Sequence, residues 1–138
     1  MATLFTQIIE GTIHGRFVWK DDLAVVFLTI EPIAPGHVLV VPRQEIDHWI
    51  DAEPKLQHHL MDVANSIGQA LMLAFGAQRV GLMIAGLEVP HLHVHVLPIS
   101  SEHDLAFANA NRNATNKELD RAQEAIKASL RDLGLNQP

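Results

Sequence analysis

The chain contains no cysteine, and that absence removes several kinds of site at once. Without thiols there are no disulfides, no cysteine nucleophile and no zinc site built from thiolates. Cationic side chains are also few, since 10 Lys and Arg stand against 16 Asp and Glu and give a formal net charge of −6. This balance predicts no extended nucleic-acid surface, although a small phosphorylated ligand needs only a few local donors.

Targeting and linker segments are lacking as well. No segment has the basic start and apolar run of a signal peptide, and no apolar run is long enough to span a membrane. We therefore expect a cytoplasmic protein with no membrane partner. The 138 residues, 48% of them hydrophobic, predict one domain over residues 1–138, with a core over about 4–98 and a C-terminal loop and helix over 99–138.

The most informative segment that is present is PHLHVHVLP, residues 90–98. Three histidines alternate with apolar, β-prone residues, which predicts a strand of period two. The histidines are His91, His93 and His95, and the apolar residues are Leu92, Val94 and Val96. Because successive side chains of a strand point to opposite faces, the three imidazoles share one face at spacings of about 6–7 Å, and the apolar row anchors the other face in a core.

Three interpretations of this row of imidazoles are open. The rings could be structural, each satisfied by hydrogen bonds, but a buried row of donors and acceptors is costly as packing alone. A His-x-His pair on a strand could instead chelate zinc, with a third ligand from elsewhere in the chain. One ring could also act as a nucleophile that its neighbours hold and polarise, since histidine titrates near neutral pH.

The rest of the hydrophobic pattern predicts an α+β fold: an antiparallel sheet of about five strands, a long helix packed on one face and a C-terminal helix. The predicted strands are Phe17–Trp19, Leu23–Thr29, His37–Val41, Val80–Ile84 and the histidine segment. The predicted helices are a short one over Leu4–Glu10, a long one from about Glu53 to Phe75 that ends at Gly76, and a last one that starts at the capping box Thr115–Glu118.

The histidine segment resembles the His-φ-His-φ-His-φ-φ signature of the histidine triad (HIT) superfamily, in which φ is apolar. Residues 27–42, which contain Pro35-Gly36-His37, resemble the strand-loop-strand of that family, and residues 4–11 resemble its N-terminal segment. The resemblance covers residues 4 to about 98. It implies a HIT-like fold and a homodimer that binds a nucleotide and cleaves a bond at the α-phosphate.

The resemblance also implies a role for each histidine. His93 would be the nucleophile that forms a nucleotidyl-histidine, which water then hydrolyses. His95 would contact the phosphate and share in proton transfer, His91 would orient the strand and the nucleophile, and His37 would belong to the same site. This chemistry is physically coherent, because an imidazole with a reference pKa of about 6.5 has a free lone pair at neutral pH.

Further residues are implied to bind the substrate. Phe5, Ile8, Phe27 and Ile30 match apolar residues that line the nucleobase slot, with ordinary core packing as the alternative. Thr29 stands where relatives carry an Asp or Asn that bonds the ribose hydroxyls, so a weaker or altered ribose preference is expected.

Four further positions depart from the family pattern. Leu87 replaces an amide that contacts phosphate, and Glu88 places a carboxylate near the leaving group, where it would repel phosphate or, with a raised pKa, act as an acid. Thr6 and Glu45 occupy positions at which some members carry the Cys and His ligands of a structural zinc. No metal and no cofactor are therefore predicted.

The leading hypothesis is a hydrolase or nucleotidyl transferase that acts on a nucleotide phosphoramidate or a dinucleoside polyphosphate. One alternative is a nucleotide-binding protein with weak or no catalysis, because Leu87 and Glu88 depart from the family. Another is a metal-dependent enzyme that uses His37 and two histidines of the triad.

Overall fold

A computed structural model of the chain describes residues 1–135, so the last three residues of the predicted domain lie outside the described part. The strands are β1 (Phe17–Lys20), β2 (Ala24–Leu28), β3 (Val38–Pro42), β4 (Arg79–Met83) and β5 (Val94–Ile99). The helices are α1 (Leu4–Ile9), α2 (Pro54–Phe75) and α3 (Asn116–Asp132), and short 3-10 turns cover Trp49–Asp51, Glu102–Leu105 and Phe107–Asn109.

The five strands form one antiparallel sheet in the order β1-β2-β3-β5-β4. This result confirms the predicted α+β architecture. Strand β4 lies at one edge, since its hydrogen-bonded neighbour within the sheet is β5. Within residues 1–135, no helix combines the length and apolar character that would be needed to cross a bilayer.

One face of the sheet is covered by α2, and this side holds the main core. The apolar stripe of α2 is buried against alternate residues of the central strands, and α3 packs against α2 in turn. The helix ends where Gly76 adopts a left-handed conformation (φ 57°), as the sequence predicts. Fully buried residues on this side include Val26, Val40, Ile67, Leu71, Leu92 and Val96.

The opposite face is covered by the short helix α1. Its buried residues Phe5 and Ile8 pack against a smaller apolar cluster on β2 and β3, and the Phe5 ring meets the Phe27 ring edge-on at 5.5 Å between centroids. His95 pairs with Leu39 across β3 and β5, and directly paired residues share a face. The histidine side chains therefore lie on the α1 face of the sheet.

The structure differs from the sequence prediction in where the histidine strand begins. Strand β5 starts at Val94, so His91 and His93 precede it in irregular backbone. The Leu92 N–H donates to the Ile46 carbonyl and the His91 N–H donates to the Val89 carbonyl at 2.8 Å, which takes both groups out of the sheet ladder. The alternation of faces nevertheless persists, because Leu92 is buried in the core on the α2 side.

Candidate active site

His37 enters the site from the loop between β2 and β3. Gly36 has φ 93°, and a Cβ atom there would come within 2.5 Å of the Phe75 ring, so the tight approach of this loop to α2 requires glycine. The His37 N–H donates to the Ala34 carbonyl, and the Ile33 N–H donates to His37 Nδ1 at 3.0 Å. The loop therefore holds the imidazole at both its backbone and its ring.

The hydrogen bonds of this ring define its tautomer and that of His95. Because His37 Nδ1 accepts a hydrogen bond, the ring proton lies on Nε2, and this nitrogen is 2.9 Å from His95 Nδ1. His95 Nδ1 must then be the acceptor, which places the proton of His95 on Nε2. The relay from Ile33 through His37 thus gives His95 one N–H that remains available to a ligand.

The same reasoning assigns His91 and His93. His91 Nε2 lies 2.7 Å from the Pro42 carbonyl, which only accepts, so His91 Nε2 carries the proton and Nδ1 accepts from the Thr3 hydroxyl at 2.7 Å. His93 Nδ1 lies 2.8 Å from the His91 carbonyl and donates to it. The lone pair of His93 is therefore on Nε2, and the backbone of His91 fixes the orientation of the ring.

Burial lowers the pKa values of three of the histidines: His37, His93 and His95. Desolvation, helped by the nearby charge of His93, lowers the pKa of His37 to about 4. Desolvation and the neighbouring rings of His93 and His37 lower the pKa of His95 to about 3. The pKa of His93 is also lowered, by desolvation first, although its bond to the His91 carbonyl and the charge of Glu88 oppose this effect. At neutral pH the lone pair of His93 is consequently unprotonated.

A hydrogen-bonded cluster stands behind His91, around the two positions that depart from zinc ligands. The Thr3 hydroxyl also accepts from the Thr6 N–H at 3.1 Å and so caps α1, and the Thr3 N–H donates to a Glu45 carboxylate oxygen at 3.0 Å. Hydrogen bonds from the Thr6 side chain and the Thr3 backbone lower the pKa of Glu45. Thr3 was not identified from the sequence, although Thr before a short apolar helix is a recognisable N-cap signal.

The geometry offers no donor set for the metal hypothesis among residues 1–135, where no three His, Asp or Glu side chains are grouped to hold an ion. Both ring nitrogens of His37 and of His91 are engaged in hydrogen bonds. Coordination through either residue would break a bond that now satisfies a buried group.

A cavity of about 220 Å³ opens onto the histidines. Of the predicted site residues, it brings together His37, His93, His95, Thr29, Leu87 and Glu88. A wider groove of about 680 Å³ is lined by other residues, among them Phe75, Ser100 and His103, and carries none of the triad histidines. The smaller cavity is therefore the candidate site, because it holds the groups capable of chemistry.

The predicted base-slot residues do not line this cavity. Phe5, Ile8 and Phe27 are buried in the apolar cluster under α1, and the Phe5 ring meets the His93 ring edge-on at 4.9 Å. Ile30 is 69% exposed. The role of these four residues in base binding stays a prediction, whereas the packing of the Phe5 ring against the His93 ring is visible.

The residues on the cavity wall that the sequence analysis did not predict include Glu31, Phe107 and Arg112. The Phe107 ring packs on His95 with 5.0 Å between ring centroids, and Arg112 pairs with Glu31 at 3.0 Å. Phe107 and Arg112 belong to a polar segment without hydrophobic periodicity, and such a segment carries no sequence signal that it folds back over the histidines.

The sequence profile of the HIT domain matches residues 10–102. The chain belongs to the HIT family. It is 30% identical over 137 residues to an uncharacterized HIT-like protein of Saccharolobus solfataricus, and the aligned region covers 94% of this chain and 99% of the relative. It is also 31% identical over 113 residues to the asymmetrical bis(5'-nucleosyl)-tetraphosphatase of Schizosaccharomyces pombe, and this aligned region covers 75% of this chain and 62% of that enzyme.

Solved structures of HIT proteins share the fold. A HIT-like protein from Bartonella henselae superposes with a TM-score of 0.80 at 26% identity, covering 93% of this chain and 96% of that one. A zinc-bound histidine triad family protein from Mycobacterium smegmatis gives a TM-score of 0.83 at 23% identity, covering 98% and 97%. The second similarity concerns the fold alone.

Proposed function

We propose that this HIT protein is a nucleotide hydrolase or nucleotidyl transferase in which His93 forms a covalent intermediate. The observation that carries the proposal is the orientation of His93. Its Nδ1–H donates to the His91 carbonyl, which leaves the lone pair on Nε2, and the His93 ring lines the cavity. A neutral, oriented imidazole is the form that attacks phosphorus. Sequence similarity to a dinucleoside tetraphosphatase supports a nucleotide as the substrate.

The reaction proceeds in two displacements. His93 Nε2 attacks the α-phosphorus, a P–N bond forms, and the bond to the leaving group breaks, with the electron pair going to the leaving group. The Nε2–H of His95 bonds a phosphate oxygen and shares in proton transfer, and His37 keeps that proton on Nε2. Water then attacks the nucleotidyl-histidine, which releases the mononucleotide and restores the imidazole. Another acceptor in place of water gives transfer instead of hydrolysis.

The covalent step is tested by trapping. The protein is mixed with adenosine 5'-phosphoramidate or a diadenosine polyphosphate, denatured at alkaline pH because phosphohistidine bonds are acid-labile, and analysed by intact mass and peptide mapping. We expect one added nucleotidyl group on His93, and none in His93→Ala. His14→Ala is the matched control, since His14 is exposed in the loop before β1. Turnover by His93→Ala at the wild-type rate would contradict the proposal.

A nucleotide-binding protein with weak catalysis is the second candidate. It is favoured by Leu87, which lines the cavity with an apolar side chain that is 95% exposed and has no hydrogen-bond donor. Nucleotide binding without adduct formation would support this candidate over the enzyme.

We also infer a homodimer, with the edge strand β4 and helix α2 facing the second copy. Leu82 and Ile84 are each 38% exposed at this edge, and with Trp49 and Met61 they line an apolar groove of about 270 Å³. Exposed apolar edges of this kind favour association with another chain.

A cytoplasmic location also stays a prediction.

A further inference from the structure

The charge balance of the cavity wall is unusual for a site that handles phosphate. Among the described residues that line the cavity, Arg112 is the single cation, and the same wall carries two carboxylates, those of Glu31 and Glu88. The histidines supply no formal charge at neutral pH, because burial lowers the pKa values of His37 and His95. Any full positive charge that meets the substrate on this wall must come from Arg112.

The position of Arg112 is set by the segment that folds back over the site. The Asn111 N–H donates to the Pro32 carbonyl at 2.8 Å, which ties this segment to the loop that carries His37. Arg112 Nη1 then reaches Glu31 Oε2 at 3.0 Å. The two side chains are 68% and 45% exposed, so the pair lies at the rim of the cavity and not at its base beside the buried His93.

We propose that Arg112 binds the phosphate group next to the α-phosphate, on the leaving-group side, and that Glu31 is a counter-charge that the substrate displaces. The proposal rests on the proposed function, since it assumes an α-phosphate against His93. The proposal places the linked phosphates along the cavity wall from His93 to the rim, so that Arg112 contacts the phosphate that follows the α-phosphate. The substrate class that follows is a nucleotide with at least two linked phosphates, in preference to a phosphoramidate.

Physical properties of the pair support this exchange. The planar guanidinium matches phosphate geometry with paired N–H donors, which makes Arg well suited to phosphate recognition. An exposed ion pair contributes little to stability because water and salt screen it, so Glu31 gives up the guanidinium at small cost. A phosphate with more charge than a carboxylate therefore competes effectively for Arg112.

The test measures binding without turnover. Dissociation constants for AMP and for α,β-methylene-ADP, whose bridging carbon resists cleavage, are determined by calorimetry in buffer free of divalent cations. We expect wild type to bind the diphosphate more tightly than AMP. Arg112→Gln should weaken diphosphate binding by about ten- to a hundredfold and leave AMP binding nearly unchanged, which is the loss expected for one charged hydrogen-bonded contact.

Two further variants sharpen the result. Glu31→Gln should tighten diphosphate binding several-fold, because it removes the competitor for the guanidinium, and Arg112→Lys should retain part of the preference. Arg121→Gln is the matched control, since Arg121 is an exposed cation on α3. The preference of wild type for the diphosphate should also shrink as salt rises.

The proposal is overturned if wild type binds AMP and the diphosphate equally, or if Arg112→Gln changes both dissociation constants alike or neither. Adduct formation on His93 is measured on the same preparations. If Arg112→Gln forms a normal adduct and keeps the preference for the diphosphate over AMP, this inference alone is contradicted. If the preference depends on Arg112 but no adduct forms on His93, the covalent mechanism is contradicted and the binding role of Arg112 is supported.

Discussion

His37 Nε2 lies 2.9 Å from His95 Nδ1, and both rings are buried. Because the Ile33 N–H occupies the other nitrogen of His37, the proton in this contact belongs to His37. His37 therefore selects the tautomer of His95, and in the proposed reaction it is a positioning residue that acts through His95.

Replacing His37 should therefore act through His95. His37→Phe removes the donor to His95 Nδ1, so the His95 proton can move to Nδ1 and the Nε2–H that we propose to bond phosphate is lost. We expect the single-turnover rate of adduct formation to fall by about 10²–10³, the usual cost of losing one transition-state donor.

His37→Gln is the comparison, because an amide N–H can still donate to His95. It should recover part of the rate, with nucleotide affinity close to wild type in both variants. Equal rates in His37→Phe and wild type would show that the tautomer of His95 does not matter.

The same burial makes stability depend on pH. The folded pKa values of His37 and His95, about 4 and about 3, lie below the ordinary value of 6.5 for an unfolded chain. Between these values the unfolded chain binds more protons, so stability is full above about pH 6.5 and falls as pH drops towards 4. Urea unfolding at pH 7.5 and pH 5 should differ by roughly 2 kcal/mol per ring.

His37→Gln serves as the control for this loss, because glutamine does not titrate. Its free energy of unfolding should fall less between pH 7.5 and pH 5 than that of wild type. A slope equal to wild type would assign the pH dependence to other groups.

Much of this site follows from the sequence because alternation is a local property. The buried position of Leu92 and the shared face of the histidines need only the period of a strand, and both are present although β5 starts later than predicted. The contact between Glu31 and Arg112 joins residues 81 positions apart in two irregular segments. Hydrophobic periodicity carries no information about such pairs, so neither residue was predicted.

Thr3 couples the start of α1 to the triad, and this coupling predicts a measurable cost. Thr3→Val removes the N-cap acceptor and the donor to His91 Nδ1 at once. The free energy of unfolding should fall by about 1–3 kcal/mol, from the lost cap and an unsatisfied buried ring nitrogen. Urea denaturation of Thr3→Val beside Thr3→Ser, which keeps the hydroxyl, measures this cost. Similar losses in both variants would argue against the hydroxyl as the cause.

The inferred homodimer predicts a response to charge in the apolar groove. Met61 is 57% exposed on α2 and lines this groove together with Leu82. Met61→Lys should convert a dimer to a monomer in sedimentation velocity at micromolar concentration, because burying an unpaired ammonium is costly. Leu133→Lys is the control, since Leu133 is exposed at the end of α3, away from the groove. A monomeric wild type would contradict the inference directly.

The turn before the triad predicts a gain of activity. Leu87 is 95% exposed on the cavity wall, so Leu87→Gln costs no buried packing and supplies the amide donor that the family pattern places against phosphate. Because one such donor accounts for about 10²–10³ in rate when it is removed, restoring it should accelerate adduct formation by a sizeable fraction of that factor. Leu87→Met keeps the size of the side chain without the donor, and its rate should match that of wild type.

Glu88→Gln gives an independent measurement of the same turn. The charge of Glu88 acts to raise the pKa of His93, so its removal should move the acidic limb of the rate profile to lower pH. If Leu87→Gln and Glu88→Gln both leave the single-turnover profile of wild type unchanged, residues 85–89 border the cavity without touching the substrate, and the covalent role of His93 stands apart from them.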